Sequence, residues 1–161
     1  MKIGNIEENV ITIIVAAGKG SRMKSKKSKV VHKIYGKELV KRVTDLAKKI
    51  GSDEVIAVVG YLREQVKEVL GDSVLYAYQD ELLGTGHAVM QAEEYLKGKS
   101  GKVLVLNGDV PIIRPETLKN LLEKSIKNKE YATLLTAEYE NPTGYGRIIR
   151  DEGGSVKEIV E

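Results

Sequence analysis

Apolar positions along the chain follow two rhythms. Residues 10–15, Val10-Ile11-Thr12-Ile13-Ile14-Val15, form a short β-branched run ending in Ala-Ala-Gly. Similar runs recur at 55–59, 74–78 and 103–106. Runs of this length, bounded by glycine, predict buried strands. Between them, apolar residues return every third or fourth position: Leu39, Val40, Val43, Leu46, Ala47 and Ile50 within 38–50, then Leu62, Val66, Val69 and Leu70. This spacing predicts amphipathic helices, with Gly51 and Gly71 as C-terminal stops. Residues 85–96 read as a further helix. Residues 115–127 read as another, with Leu118, Leu121, Leu122 and Ile126 inward and Pro115 in its first turn. Later, 132–137, 145–150 and 156–160 read as strands, the last two facing each other across Asp151-Glu152-Gly153-Gly154.

Strand and helix therefore alternate at least four times. The early strands are apolar throughout, the pattern of a sheet covered on both faces. The fold class this predicts is α/β: an open, mostly parallel sheet flanked by helices, with antiparallel late strands. Ligands in such sheets bind at the carboxyl ends of the strands. The chain reaches Glu161 straight after a strand-like segment. A sheet that ends on its last strand and a domain cut short both fit this.

Composition narrows the picture. A chain of 161 residues with 42% hydrophobic and 30% charged residues is globular and can bury one core. The net charge of +3 argues against a dedicated nucleic-acid binder. The charge is uneven, however: between Lys19 and Arg42 the one acid, Glu38, faces ten lysines and arginines. Without cysteine there is no disulfide, thiolate chemistry or Cys-type zinc site. His32 and His87 are too far apart to form a metal pair on one helix. No apolar run reaches membrane-spanning length, and acids occupy the position of a signal peptide's apolar stretch. A cytoplasmic location without a membrane partner is expected.

Four stretches could carry chemistry. In Ala16-Ala17-Gly18-Lys19-Gly20-Ser21-Arg22, a strand runs into a glycine-rich turn whose N–H groups can face an anion, with Arg22 and Lys29 adding positive charge. It matches neither GxxxxGK[ST] nor GxGxxG, and a basic surface loop is the plain alternative. Lys24, Lys26 and Lys27 are read as solvated, and Lys19 is undecided. Asn107-Gly108-Asp109-Val110-Pro111 sets a carboxylate just past a strand, where it could hold Mg²⁺ or merely shape a turn. In Gln79–Ala88, the glycines around Thr85 open a helix, and Gln79 offers a donor and an acceptor suited to the imide edge of a pyrimidine. The plain reading there is a helix capped by Thr85, with His87 a packed helix residue. Finally, Asn141-Pro142-Thr143-Gly144-Tyr145-Gly146-Arg147 reads as a turn entering a strand, with Arg147 free to bind an anion or to pair on the strand surface.

Taken in order, AAGKGSRM…K, QDELLGTGHA, NGDVPII and PTGYGRIIR…IVE resemble the uridylyltransferase half of the bacterial bifunctional N-acetylglucosamine-1-phosphate uridyltransferases. LGTGHA and PTGYGRI are the most discriminating of these, and the resemblance runs through the whole chain. It implies a Rossmann-like nucleotidyltransferase fold. The implied reaction transfers UMP from UTP to N-acetylglucosamine 1-phosphate, with Mg²⁺, giving UDP-N-acetylglucosamine, a cell-wall precursor, and pyrophosphate.

Carried over residue by residue, Val15, Ala16, Ala17 and Gly18 match the loop around the nucleotide. Arg22 and Lys29 match the catalytic phosphate-binding pair. Gln79, Gly84 and Thr85 match the uracil pocket. Asn107, Gly108 and Asp109 match the turn that carries the magnesium ligand, Asp109. Gly146 and Glu161 match the contacts to the N-acetylglucosamine group.

There are departures. Ser28 stands where the family usually has proline, and Asn107 where many members carry a larger residue. The family's domain also continues past the position of Glu161, with a second metal ligand, and is followed by a left-handed β-helix that acetylates glucosamine 1-phosphate and brings about trimerisation. The chain is thus expected to be the N-terminal part of a uridylyltransferase domain, monomeric or associated in a non-native way. A uridine-nucleotide-binding module without turnover, or another sugar-1-phosphate nucleotidyltransferase, is the alternative.

Overall fold

The computed structural model describes the backbone of residues 2–3 and 6–160, with side chains from residue 8 onward. The chain divides into two compact units, Met1–Glu130 and Tyr131–Glu161.

In the first unit, β1 (Lys2–Ile3) and β2 (Ile6–Glu7) pair antiparallel. The run β3 (Val10–Ala16) then enters the core, followed by the short antiparallel pair β4 (Lys33–Ile34) and β5 (Lys37–Glu38) and by helix α1 (Leu39–Lys49). Next come β6 (Glu54–Val59), α2 (Arg63–Leu70), β7 (Leu75–Tyr78), α3 (Thr85–Met90), α4 (Glu93–Leu96), β8 (Lys102–Asn107) and α5 (Pro115–Lys127). Four strands form one parallel sheet in the order β7-β6-β3-β8. The register sets Ile13 of β3 between Ile56 of β6 and Val105 of β8.

Each side of the sheet is closed differently. Val10, Ile14, Ala57, Val59, Leu104 and Leu106 pack beneath apolar residues of α1, α2 and α5. On the other face Ile11, Ile13, Ile56, Val58 and Ala77 pack with Ala17 and with Ala88, Ala92 and their neighbours on and between α3 and α4. The central strands β3 and β6 are therefore covered on both faces, as their apolar runs predict. The outer strand β8 is not: Leu104 and Leu106 are buried while Val103 and Val105 remain 45% and 43% exposed.

Local chemistry fixes the ends. After α1, Gly51 takes φ +88°, Gly51 N–H donates to Lys48 O and Ser52 N–H donates to Ala47 O, the paired bonds of a Schellman stop. The base of the sheet is tied where Val10 N–H donates to Asp53 Oδ2 at 2.8 Å and the hydroxyls of Thr12 and Ser52 meet at 2.6 Å.

Two expectations need correction, and one short strand pair was not foreseen. The helix over 85–96 is interrupted at Gln91 and Ala92, whose N–H groups bond three residues back, to Ala88 O and Val89 O, in the tighter 3₁₀ pattern. The pair β4–β5 has no strand-like apolar run; it forms around Tyr35 and Gly36, both at positive φ, with Arg42 donating to Ile34 O. Residues 132–137 are not a strand: Leu134 and Leu135 are adjacent and exposed, and no described strand lies alongside to pair with them.

The second unit is a hairpin of β9 (Arg147–Arg150) and β10 (Val156–Val160), antiparallel as expected. Asp151 shapes its turn, accepting from Ser155 N–H at 2.8 Å through Oδ1. Before it, Asn141 Oδ1 accepts from both the N–H and the hydroxyl of Thr143, and the rings of Tyr139 and Tyr145 stack at 4.9 Å. Among the described residues no helix is long and apolar enough to cross a membrane.

Candidate nucleotide site

The strand order creates the site. The chain steps outward from β3 to β6 to β7, then returns to the other side of β3 for β8. At such a reversal the loops leaving the two adjoining strands, β3 and β8, diverge and open a crevice at their carboxyl ends. A cleft of about 480 Å³ lies there, lined by Val15, Ala16, Gly18, Gly20, Ser21, Arg22, Met23, Lys29, Val30, Asn107 and Asp109.

The loop after β3 builds one wall. Ala16 and Ala17 are buried in the core, so it is their backbone that is available to a ligand. Gly18 is exposed, and a Cβ there would meet nothing within 4 Å. Gly20 is different. It sits at φ +59°, and a Cβ would come within 2.6 Å of Lys29 Cβ. This glycine both turns the chain and lets it lie against the stem of Lys29. Arg22 follows in the single 3₁₀ turn Ser21–Met23; among the described residues it makes no ion pair. The chain returns through Ser28, buried, whose N–H donates to Gln65 Oε1 at 2.8 Å. Val30 plugs into the core and so fixes Lys29 at the cleft.

The loop after β8 builds the other wall. Gly108 N–H donates to Val15 O at 2.9 Å, and a Cβ on Gly108 would stand 3.1 Å from that carbonyl and 3.2 Å from Val30 Cγ1. The close approach turns Asp109 into the cleft, where its carboxylate pairs with the Lys29 ammonium. Opposite charges thus hold each other at the mouth, with Arg22 adding a second cation. Lys24, Lys26 and Lys27 are exposed, and Lys19 lies over the Tyr61 ring, 5.9 Å from its centroid.

Gln79 lies on the other side of β3. Its N–H donates to Val59 O, and its carbonyl packs against Gly60, where a Cβ would meet Gln79 O at 2.6 Å and Ala17 Cβ at 3.0 Å. Gln79 is only 4% exposed, and its Nε2 donates to Gly84 O at 3.1 Å. Gly84, at φ +101°, precedes α3; Thr85 is the first residue of that helix rather than its cap. Gly146 stands just before β9 in the second unit, and Glu161 lies outside the described residues.

Sequence reasoning thus gathers Val15, Ala16, Gly18, Arg22, Lys29, Asn107 and Asp109 into one cleft. Gly20 and Ser21 were read only as part of the anion-facing turn, and Met23 and Val30 were missed. The signal for Val30 was present as an apolar pair, Val30-Val31, closing a run of lysines.

The fold and the cleft define an α/β nucleotide-binding protein of the nucleotidyltransferase class. Residues 12–154 match the model of the MobA-like NTP transferase domain, and the chain belongs to that family. It is 56% identical over 154 residues to the bifunctional protein GlmU of Caldanaerobacter subterraneus subsp. tengcongensis, covering 96% of this chain and 34% of that protein. It is 50% identical over 153 residues to the bifunctional protein GlmU of Clostridioides difficile, covering 95% and 33%. The chain therefore spans about a third of the length of these relatives. Among solved structures, HddC from Yersinia pseudotuberculosis aligns with a TM-score of 0.71 at 23% identity over 94% of this chain and 68% of that one. A nucleotidyl transferase from Methanothermobacter aligns with a TM-score of 0.60 at 23% identity, over 74% of this chain and 58% of that one. These share the fold.

Membership in the family points to a divalent metal. Among the described residues no group of three or more His, Asp or Glu could cage an ion, and Asp109 is the one acid lining the cleft. One carboxylate suits a hard cation that completes its shell with water and substrate phosphate.

Proposed function

We propose that the chain transfers UMP from UTP to N-acetylglucosamine 1-phosphate, releasing pyrophosphate and forming UDP-N-acetylglucosamine. The observation that carries this reading is the convergence of Arg22, Lys29 and Asp109 on one cleft at the reversal of strand order. The sugar phosphate is already an anion and a nucleophile, so its oxygen attacks the α-phosphorus in line without a general base. The difficulty is repulsion between anions and charge gathering on the departing pyrophosphate. Arg22 addresses it with a planar, bidentate donor set, and Lys29 with a point charge. The backbone of Val15–Gly18 follows the nucleotide, while Gln79, Gly84 and Thr85 receive the uracil.

Mg²⁺ is the metal we assign to Asp109, where it would spread phosphate charge. Lys29 neutralises that carboxylate; with a cation held there, its ammonium would be free to face phosphate. Gly146 and Glu161 are assigned to the acetamido sugar. In this reading residues 1–161 are the N-terminal part of a uridylyltransferase domain, and a further part of the longer protein acetylates glucosamine 1-phosphate.

The test is pyrophosphate release from UTP and N-acetylglucosamine 1-phosphate, by this chain and by one extended past Glu161. Mg²⁺-dependent release by either supports the reading. No release from either, with other nucleoside triphosphates turned over, overturns it.

A further inference from the structure

The side-chain amide of Gln79 is held from behind. Its Nε2 donates to Gly84 O at 3.1 Å and lies 3.0 Å from His87 Nδ1, so both of its N–H bonds are used. Among the described residues nothing donates to Gln79 Oε1. That oxygen is not sealed off either, since the buried unpartnered side-chain atoms are Ser28 Oγ, His32 Nε2 and Ser73 Oγ. The residue thus offers an acceptor alone, where its sequence suggested a donor and an acceptor together.

The imidazole decides this. A neutral ring has one N–H and one lone pair. Gln91 Nε2 lies 3.1 Å from His87 Nε2 and also 3.1 Å from His87 O, so amide nitrogens face both ring nitrogens, and one of the two amides must be reversed. Reversing Gln79 would set its oxygen against Gly84 O inside a site where the residue is 4% exposed and water cannot repair the clash. Reversing Gln91 likewise sets its oxygen toward His87 O, but Gln91 is only partly buried, so its side chain can swing off that carbonyl and water can replace the bond given up. The proton therefore belongs on Nε2, facing Gln91, and Nδ1 is the acceptor that fixes Gln79.

We propose that His87 is a positioning residue for nucleobase specificity: by accepting from Gln79 Nε2 it turns Gln79 Oε1 toward the base. An inward-facing acceptor pairs with the N3–H of uracil and opposes the N3 lone pair of cytosine. This rests on the assignment of Gln79 to the base pocket made above.

Binding of UTP and CTP to this chain, measured by calorimetry, tests it. The wild type favours UTP by about tenfold or more, the effect of one desolvated hydrogen bond made or refused. In His87→Leu the preference falls to about twofold, because Gln79 can then turn either edge to the base. In His87→Asn, whose Oδ1 is again an acceptor on Cγ, most of the preference returns. An unchanged UTP/CTP ratio in His87→Leu, with affinity for both reduced alike, overturns the proposal and leaves His87 a packing residue. Gln79→Leu separates the two failures. If it too leaves the ratio unchanged, the pocket assignment is wrong; if it removes the preference while His87→Leu does not, only the positioning role is. Should His87→Leu not fold, the imidazole ¹⁵N spectrum of the wild type decides. A bare Nδ1 with the proton on Nε2 supports the proposal, and a protonated Nδ1 overturns it.

Discussion

Arg22 sits in an exposed single turn without an ion pair among the described residues. Arg22→Ala should lower turnover by about two to three orders of magnitude, the usual cost of removing one transition-state donor. Its melting temperature should stay at the wild-type value, because exposed substitutions change stability by only about 0.5 kcal/mol. Near-normal turnover would remove Arg22 from the proposed mechanism. Ser28 shows the opposite case. It is fully buried and its Oγ has no partner, while its N–H donates to Gln65 Oε1 and its carbonyl accepts from Val31 N–H. Ser28→Ala should stabilise the fold by about 1 kcal/mol, since it removes an unsatisfied hydroxyl and keeps the N–H donor. Ser28→Pro should not, although the backbone at φ −55° accommodates proline. Proline deletes that donor and leaves Gln65 Oε1 unpaired. Chemical denaturation of both variants checks the pair.

At the level of elements, β3 and β6 are aligned by more than their ladder. Asp53 precedes β6 and accepts the Val10 N–H at the start of β3. That bond holds the Asp53 carboxyl below its ordinary value of 3.8. With the folded pKa depressed, the unfolded chain binds the proton more readily. The contribution is complete above the ordinary carboxylate range and lost as pH falls through the folded value. Melting temperature should therefore drop less steeply below about pH 4 in Asp53→Asn than in the wild type. Parallel curves would show that the bond is not linked to folding. The interruption between α3 and α4 belongs to this scale too. Periodicity sees one helix over 85–96, since 3₁₀ and α turns present nearly the same apolar face, and only the hydrogen bonds of Gln91 and Ala92 distinguish them.

For the molecule as a whole, the sheet is covered unequally. Three helices close one face, while α3 and α4 close only part of the other. Neighbouring residues of β8 should therefore respond very differently. Leu104→Ala should cost about 2–4 kcal/mol, because it opens a cavity beneath the helices. Val105→Ala, one position on and half exposed, should cost under about 1 kcal/mol. Urea denaturation of the two variants measures the difference, and equal losses would mean that the outer face is covered in solution.

The parallel core, its alternation with helices and the order of the motifs were legible because they depend on local rules: the unbroken β-branched runs of strands buried on both faces, the 3.6-residue period of helices, and the need for glycine where the chain turns tightly. Asp109 could be named because it sits just past a strand that sequence identifies, and Arg22 and Lys29 because their charge follows the glycine turn after β3; their roles came from the family resemblance. What sequence could not show is how distant segments meet. That Lys29 and Asp109 neutralise each other depends on the order β7-β6-β3-β8. The lie of Gly20 on the Lys29 stem and the contact of Gln79 with His87 depend on the course of single loops, which spacing does not reveal. Local propensity chose the elements. Only the packing of the sheet, which brings the carboxyl ends of β3 and β8 side by side, turned separated motifs into one cleft.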